Sequence, residues 1–320
     1  MNRRAFITML GGAVAWPLAA QSQGVAKLPL IGFIGPANLG ERVKDGLREL
    51  GFVEGENVAI EILLGGGQFE RAPELVADLI HRGVAVICTA SNVAALAAKR
   101  ATSDIPIVFI AGLDPVRMGL VSAINRPGGN ATGVSFLTSS LEPKRFGLIR
   151  ELLPPVALFA ALVNPDNPNA ESHTKDLQAV AHTLGLQALI LKARSAAEIE
   201  TAFQALVQQH AGALLVTSDP IFDSNRQRLV DLAARHAIPT IYPWRDFVDA
   251  GGLLSYGNSL NDAARQVGVY AGRILKGAKP AELPVWVPTR FEFVLNLKTA
   301  KTLGLVIPPS ILASVDEVIE

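Results

Sequence analysis

Continuous apolar segments that alternate with helix-forming segments constrain the fold of this chain more than any other feature. Residues 28–34 and 105–110 are such apolar segments, and each is followed by a loop. Strands have this composition when helices cover both faces of a parallel sheet. Gly51 and Gly83 directly follow predicted helices, and glycine is the usual left-handed residue that ends a helix. The sequence therefore predicts the α/β class.

The alternation of strand and helix occurs twice along the chain. In order, the predicted strands are 28–34, 58–64, 84–88, 105–110, 156–163, 186–191, 212–217 and 238–242. The two series are joined near residues 131–142 and predict two Rossmann-like lobes with parallel sheets and a hinge. A strand at 252–257 and a helix at 262–276 follow the second series and can return to the first lobe.

This pattern also predicts how the chain is divided. Lobe I is expected to comprise 28–134 plus 257–287, and lobe II 135–256 plus 288–320. Ligands of open parallel sheets bind beyond the carboxyl ends of the strands, where helix N-termini offer free N–H groups. Two facing lobes therefore create a cleft at the loops after the strands, and closure of such a cleft around a small molecule is a hinge motion.

Polar and aromatic side chains in these loops are the candidate ligand contacts. They are Thr89, Ser91, Asn92, Asp114, Asn164, Asp219, Tyr242, Trp244 and Tyr256. In lobe I, Thr89, Ser91 and Asn92 lie at a strand-to-helix junction that can hold a carboxylate, and the alternative is plain helix capping. Asp114 precedes a proline and can accept a ligand ammonium or simply start a turn.

The lobe II candidates have structural alternatives of the same kind. Asp219 also precedes a proline and can bind an ammonium or start a turn, and Asn164 begins a turn-rich loop. Tyr242, Trp244 and Tyr256 lie at or near strand ends. Their rings can stack on a flat ligand or pack within the lobe.

Composition and motifs argue against several function classes. The chain has 29 Lys+Arg and 29 Asp+Glu, so it lacks the basic excess that is typical of proteins that bind nucleic acid. The single cysteine, Cys88, excludes an intramolecular disulfide and a multi-thiolate metal site. There is no phosphate-binding loop, dinucleotide fingerprint or nucleophile elbow, and the five histidines show no zinc spacing. We expect no enzymatic activity, cofactor, metal or nucleic-acid partner.

The N-terminal residues 1–22 have the order of an export signal. Arg3 and Arg4 precede a short apolar run, and Ala20-Gln21-Ser22 is a small-x-small cleavage pattern. The run is shorter than the roughly 20 residues of a membrane-spanning helix. The paired arginines favour the twin-arginine route over the general one, and the alternative is an ordinary N-terminal helix. We predict a periplasmic protein whose signal peptide is removed and whose mature chain has no membrane span.

Several segments resemble one known family. Residues 47–58, Leu-Arg-Glu-Leu-Gly-Phe-Val-Glu-Gly-Glu-Asn-Val, are similar to a segment of exported ABC-transporter substrate-binding proteins. The similarity continues in further blocks at 105–109, 114–116, 127–133, 251–257, 274–280, 296–301 and 316–320. These blocks span nearly the whole of the predicted mature chain.

The resemblance implies a type I periplasmic binding fold, in a group that includes proteins associated with aromatic amino-acid uptake. It further implies an exported solute-binding protein that captures a small ligand, an amino acid or a related compound, in the interlobe cleft. Its partner would be an ABC permease in the inner membrane, to which it delivers the ligand. The alternative on the same scaffold is a periplasmic sensor that signals to a receptor or regulator. A cytoplasmic regulator or enzyme is disfavoured by the export signal.

Overall fold

The fold is that of a computed structural model, which describes residues 28–65, 68–136 and 141–320. The predicted signal peptide, residues 1–22, lies outside these residues. Within the described part of the chain, no helix has both the length and the apolar character needed to cross a membrane.

Strands and helices alternate along most of the chain. The strands are β1 Leu30–Ile34, β2 Ala59–Leu63, β3 Val86–Thr89, β4 Ile107–Ala111, β5 Ala131–Ser135, β6 Leu158–Val163, β7 Gln187–Lys192, β8 Ala213–Val216, β9 Thr240–Tyr242, β10 Leu254–Gly257, β11 Glu292–Asn296 and β12 Glu317–Ile319. The helices are α1 Ala37–Arg48, α2 Ala72–His81, α3 Asn92–Ala101, α4 Glu142–Leu152, α5 Ala170–Thr183, α6 Ala196–Gln208, α7 Pro220–Ser224, α8 Arg226–Arg235, α9 Arg245–Asp249, α10 Leu260–Leu275, α11 Leu297–Thr302 and α12 Pro309–Ser314.

Lobe I is built on a parallel sheet with the strand order β2-β1-β3-β4-β5. Every residue of β3 and β4 is buried, as expected for strands that helices cover on both faces. Gly51 and Gly83 have φ of 83° and 73°, which confirms that left-handed glycines follow α1 and α2.

Helix α10 packs against α1 and against β3, β4 and β5 of lobe I. The two helices approach closely at glycines. A Cβ atom added to Gly268 would lie 2.0 Å from the carbonyl oxygen of Val43, and one added to Gly46 would lie 1.9 Å from that of Arg265. The chain therefore returns to lobe I after the β10 strand, and only glycine permits this contact between the helix backbones.

Lobe II is built on a sheet with the strand order β12-β11-β10-β9-β8-β6-β7. Its strands pair in parallel except for β11, which runs antiparallel to β10. The predicted strand at 252–257 is β10 and belongs to this sheet, so only the helix that follows it returns to lobe I. The predicted α/β class with two lobes and mainly parallel sheets is confirmed. The fold is the type I periplasmic binding fold.

Candidate functional site

Two adjoining cavities lie between the lobes, beyond the carboxyl ends of the strands. The large cavity has a volume of about 470 Å³, and the small cavity has a volume of about 70 Å³. Loops and helix starts after β1, β2, β3, β4 and β5 form the lobe I wall, and loops after β6, β8 and β9 form the lobe II wall. Six residues line both cavities: Pro36, Phe69, Ala90, Ser91, Pro220 and Asp223. We call the two cavities together the interlobe cleft.

Polar groups on the lobe I wall are engaged by their own lobe and by one contact across the cleft. The Ser91 hydroxyl accepts a hydrogen bond from the Ala94 N–H at 3.2 Å and caps α3. The Asn92 side-chain oxygen accepts one from the Gly112 N–H at 2.9 Å. The Asn92 amide nitrogen donates to the side-chain oxygen of Asn169 in lobe II at 3.2 Å. This last bond links the two walls directly.

Two lobe I candidates lie away from the cavities. Thr89 is fully buried at the end of β3, and its hydroxyl has no hydrogen-bond partner within the described residues. The Asp114 carboxylate accepts hydrogen bonds from the Val116 and Arg117 N–H groups, at 2.9 and 3.4 Å. Asp114 therefore adopts the turn geometry that competed with a ligand contact in its prediction.

The lobe II wall rests on a buried carboxylate, Asp219, which is 1% exposed. One oxygen accepts hydrogen bonds from the Asn164 side chain at 3.2 Å and the Ile221 N–H at 2.8 Å, and the other from the Asn167 side chain at 2.6 Å. Burial raises the pKa of Asp219 to about 6, although these hydrogen bonds oppose the rise. Asp219 and Asn164 thus lie behind the wall, while Asn167 lines the small cavity.

Asp223 lines both cavities and was not among the predicted contacts. One of its carboxyl oxygens, Oδ1, is buried and has no hydrogen-bond partner within the described residues. Burial raises the pKa of Asp223 well above its usual value, and the nearby carboxylates of Asp219 and Asp246 raise it further. Arg226 and the indole of Trp244 act in the opposite direction, but more weakly.

Aromatic side chains from both lobes meet at the small cavity. Trp244 is 4% exposed, lines the small cavity and packs against Phe136, with 5.3 Å between ring centroids. Its indole N–H lacks an acceptor in hydrogen-bond geometry within the described residues. Phe69 from lobe I lines both cavities. The cleft therefore combines aromatic walls with a small number of polar groups, a composition common in small-molecule sites.

The other two predicted aromatics lie elsewhere in lobe II. Tyr242 is buried, stacks on Phe247 at 4.7 Å and lines a separate cavity of about 510 Å³ that neither Trp244 nor Asp223 lines. Tyr256 stacks on Phe291 and packs edge-on against Phe293. Of the nine predicted contacts, the interlobe cleft brings together Ser91, Asn92 and Trp244.

A buried ion cluster lies within lobe II, near the start of α4. Glu142 accepts a hydrogen bond from Arg145 at 3.1 Å and lies 3.1 Å from His173, and none of the three is appreciably exposed. Arg145 also donates to the backbone carbonyl of Tyr256 at 2.7 Å. Burial acts to raise the pKa of Glu142, but Arg145 and His173 together hold it below its usual value. The cluster joins α4 and α5 to the end of β10.

The cysteine and the metal-ligating side chains of the described residues are placed as follows. Cys88 is buried in β3, and burial raises the pKa of its thiol, so it carries no nucleophilic thiolate near neutral pH. Within residues 28–65, 68–136 and 141–320, no group of three or more His, Cys, Asp and Glu side chains is placed to hold a metal ion. The arrangement is suited to holding a small molecule with an apolar body and a polar end.

Comparison with known proteins settles the family. The model of the family described as "ABC transporter substrate binding protein" matches residues 37–319, nearly all of the described chain. The chain belongs to the ABC transporter substrate-binding protein family. This ABC substrate-binding protein is 25% identical, over 259 residues, to the tyrosine-binding protein of Clostridioides difficile; the match covers 81% of this chain and 74% of that protein.

Two solved structures are similar to this ABC substrate-binding protein over most of its length. One, from Vibrio cholerae, is described as a conserved domain protein; it has a TM-score of 0.82 and 26% identity and covers 91% of this chain and 100% of its own. The other, from Streptococcus pneumoniae, is an ABC domain in complex with L-Trp, with a TM-score of 0.81, 27% identity and the same coverage of 91% and 100%.

Sequence reasoning identified the loops of this site but missed some of the residues that line it. Phe69, Phe136, Asn167, Asn169 and Asp223 line the cleft and were not predicted. For Asp223 a signal existed. Asp219-Pro220 is a typical helix start, and a residue four positions after a helix cap lies on the same face as the cap. Asp223 therefore returns to the cleft edge one turn into α7.

Proposed function

We propose that this protein is exported to the periplasm, captures an amino acid or a closely related small molecule in the interlobe cleft, and delivers it to an ABC permease without altering it. The observation that carries this proposal is the cleft itself, because both lobes line it and it contains aromatic walls together with a carboxyl group that lacks a partner. The tyrosine-binding relative and the L-Trp complex support an aromatic amino acid as the ligand class.

Capture in this protein depends on the two lobes closing on a shared ligand. A ligand that contacts both walls binds the closed arrangement more tightly than the open one and shifts the population towards closure. The hydrogen bond between Asn92 and Asn169 also joins the two walls, without a ligand between them. The surface that the two lobes together present to a permease then differs between the ligand-free and the ligand-bound protein.

The predicted contacts that line the cleft are Ser91, Asn92 and Trp244, and we propose that these three touch the ligand. Thr89, Asn164 and Asp219 are buried next to the walls and would support them. Asp114, Tyr242 and Tyr256 line neither cavity of the cleft. Contact between these three residues and the ligand stays a prediction. We also propose the lobe boundaries, 28–134 plus 257–287 for lobe I and 135–256 plus 288–320 for lobe II. The signal peptide, residues 1–22, stays a proposal as well, and membership of this family supports export.

Calorimetry and thermal unfolding test the capture proposal directly. Purified mature protein is titrated with each of the common amino acids, and we expect tyrosine, tryptophan or phenylalanine to bind and to raise the melting temperature, because a ligand that binds only the folded state stabilises it. Small-angle scattering should show a smaller radius of gyration with the bound ligand. Absence of binding and of compaction throughout the set would contradict the proposal.

Export is tested separately. A fusion of residues 1–23 to a reporter should appear in the periplasm, and replacement of Arg3 and Arg4 by lysine should reduce its export if the twin-arginine route is used. Retention of the unmodified fusion in the cytoplasm would overturn the proposed localisation while leaving ligand capture untouched.

A further inference from the structure

Asp223 is an acidic side chain that lines both cavities of the cleft. Its oxygen Oδ1 is buried and without a hydrogen-bond partner within the described residues. Arg226 lies close by, but its guanidinium donates to the backbone carbonyl of Asp223 at 3.1 Å rather than to the carboxylate. A buried carboxylate is unfavourable unless a cation or other donors bind it, so the Asp223 carboxylate can accept a hydrogen bond from a further cationic group.

The position of Asp223 joins the two parts of the cleft. It lines the small cavity, next to Trp244 and Phe136, and the large cavity, next to Phe69 and Arg226. A group bound at this carboxylate therefore lies where the aromatic and the more open parts of the cleft meet. An apolar body attached to that group can then extend along either wall.

The indole of Trp244 lies beside the Asp223 carboxylate and acts to lower its pKa. Trp244 is 4% exposed and lines the small cavity, and its indole N–H has no acceptor in hydrogen-bond geometry among residues 28–65, 68–136 and 141–320. By contrast, the neighbouring carboxylate of Asp219 is saturated by hydrogen bonds from Asn164, Asn167 and Ile221. Asp219 therefore supports the loop, whereas Asp223 can still accept a hydrogen bond from a ligand.

We infer that Asp223 binds the ammonium group of the ligand, and that the cleft is therefore specific for amines with an apolar body rather than for the corresponding acids. This inference rests on the proposed capture function and names the group that reads the ligand. An ammonium supplies a further cationic group for Asp223, and a charge-assisted hydrogen bond in a partly buried cleft is among the stronger polar contacts.

Proton release follows from the surroundings of Asp223. Among the protein's own groups, burial and the carboxylates of Asp219 and Asp246 favour the protonated form, while Arg226 and the Trp244 indole oppose it less strongly. A bound ammonium reverses this balance and favours the carboxylate. Binding of an amine should therefore release a proton, and the affinity should rise with pH until Asp223 is ionised in the free protein.

The test compares amino acids with analogues that lack only the amine. Mature wild-type protein is titrated calorimetrically with tyrosine, tryptophan and phenylalanine, and with the matching 3-arylpropanoates. We expect at least one amino acid to bind about 10-fold or more tightly than its analogue. Asp223→Asn should weaken that amino acid by about 10- to 100-fold and leave the analogue within a few-fold. Asp231→Asn, an equal charge change at an exposed site on α8, should change neither.

Each outcome bears on a different claim. If the wild type binds an amino acid and Asp223→Asn binds it equally well, or if amine and analogue bind equally well to the wild type, Asp223 is not the ammonium site and the capture proposal stands. If the wild type binds none of the compounds, the proposed ligand class fails and this inference fails with it. Titrations in buffers of different ionisation enthalpy count protons without any variant, and uptake of a proton on binding would also overturn the inference.

Discussion

The two walls of the cleft are built from the same kinds of loop but differ in how their polar groups are used. On the lobe I wall, Ser91 caps a helix and Asn92 binds a backbone N–H of its own lobe. On the lobe II wall, Asp223 and Trp244 carry groups without hydrogen-bond partners within the described residues. The difference is what the inferred ammonium site at Asp223 requires, with lobe I contributing the shape of the cleft and lobe II the charge.

The interiors of the two lobes differ in a related way. Lobe I is closed by backbone contact between α1 and α10 at Gly46 and Gly268, which leaves no room for a side chain. Lobe II contains the ion cluster of Glu142, Arg145 and His173 in a position where no water reaches it. Lobe I should therefore be sensitive to added volume, and lobe II to unbalanced charge and to pH.

The largest effect is expected when the ion cluster loses its arginine. Arg145→Met would leave Glu142 buried without its main counter-charge, and removal of one partner of a buried pair costs about 3–5 kcal/mol of unfolding free energy. Urea unfolding measures this loss. Arg48→Met is the matched control, because Arg48 pairs with Asp45 on the exposed face of α1 in lobe I. Equal stability of the two variants would contradict the contrast between the lobes.

Asp219 should make the stability of lobe II depend on pH. Its pKa is raised from 3.8 to about 6 in the folded protein. Between these values the folded state holds a proton that the unfolded state releases, so the unfolding free energy falls as the pH rises from about 4 to about 6, by at most about 3 kcal/mol.

The variant Asp219→Asn should lack this part of the pH dependence. It should also weaken the contribution of Asp223, because the Asp219 carboxylate helps to raise the pKa of Asp223, so both changes flatten the slope. Urea unfolding at pH values between about 4 and 7 provides the measurement. Asp166→Asn, in the exposed part of the loop after β6, should keep the wild-type slope. A wild-type slope in Asp219→Asn would show that Asp219 titrates normally.

Added volume is the complementary test for lobe I. In Gly268→Ala the new Cβ would meet the Val43 carbonyl at 2.0 Å, and we expect a loss of about 1–3 kcal/mol because the helices must separate. Gly147→Ala is the control, since nothing lies within 4 Å of a Cβ at that position in α4. It should be neutral or stabilising by up to about 1 kcal/mol, as for an alanine that replaces glycine within a helix. If Gly268→Ala leaves the unfolding free energy unchanged, the close packing of α10 on α1 is not needed for the stability of lobe I.

The smallest effect is expected at the contact between the walls. Asn169→Ala removes the acceptor for the Asn92 side chain, and one neutral hydrogen bond contributes about 0.5–1.5 kcal/mol. We expect this loss to appear in ligand affinity, as a decrease of about 2- to 10-fold, rather than in stability. Thr183→Ala, at the exposed C-terminal end of α5, the helix that begins directly after Asn169, should not change the affinity. An unchanged affinity in Asn169→Ala would show that this contact does not assist closure.

Much of the fold followed from local pattern, and the exceptions have physical causes. Continuous apolar runs identify β3 and β4 because both faces of these strands are buried. The strands β5, β11 and β12 were not predicted. The first is rich in small and polar residues, Ala-Thr-Gly-Val-Ser, and β12 has three residues at the edge of its sheet. Such segments become strands only because a neighbour is present to pair with them.

The site was predictable to the level of loops but not of side chains. Side chains two positions apart on a strand point to the same face, so pattern alone grouped Tyr242 with Trp244 and did not show that the strand ends at Tyr242. Tyr242 lines a different cavity, whereas Trp244, which already lies in the loop, reaches the cleft. Asp223 was missed because α7 has only five residues and shows no periodic apolar pattern, which left the Asp219-Pro220 helix start as its one signal.

The return of α10 to lobe I has a consequence for biosynthesis. Arg265 binds Glu49 across 216 positions of the chain, and β11 and β12 complete the far edge of the other sheet. Neither half of the molecule can therefore be finished until the last sixty or so residues have left the ribosome. A chain that ended before α10 would expose the face of α1 that packs against α10 and an open strand edge at β10 together, and exposed apolar surface and unpaired strand edges promote aggregation.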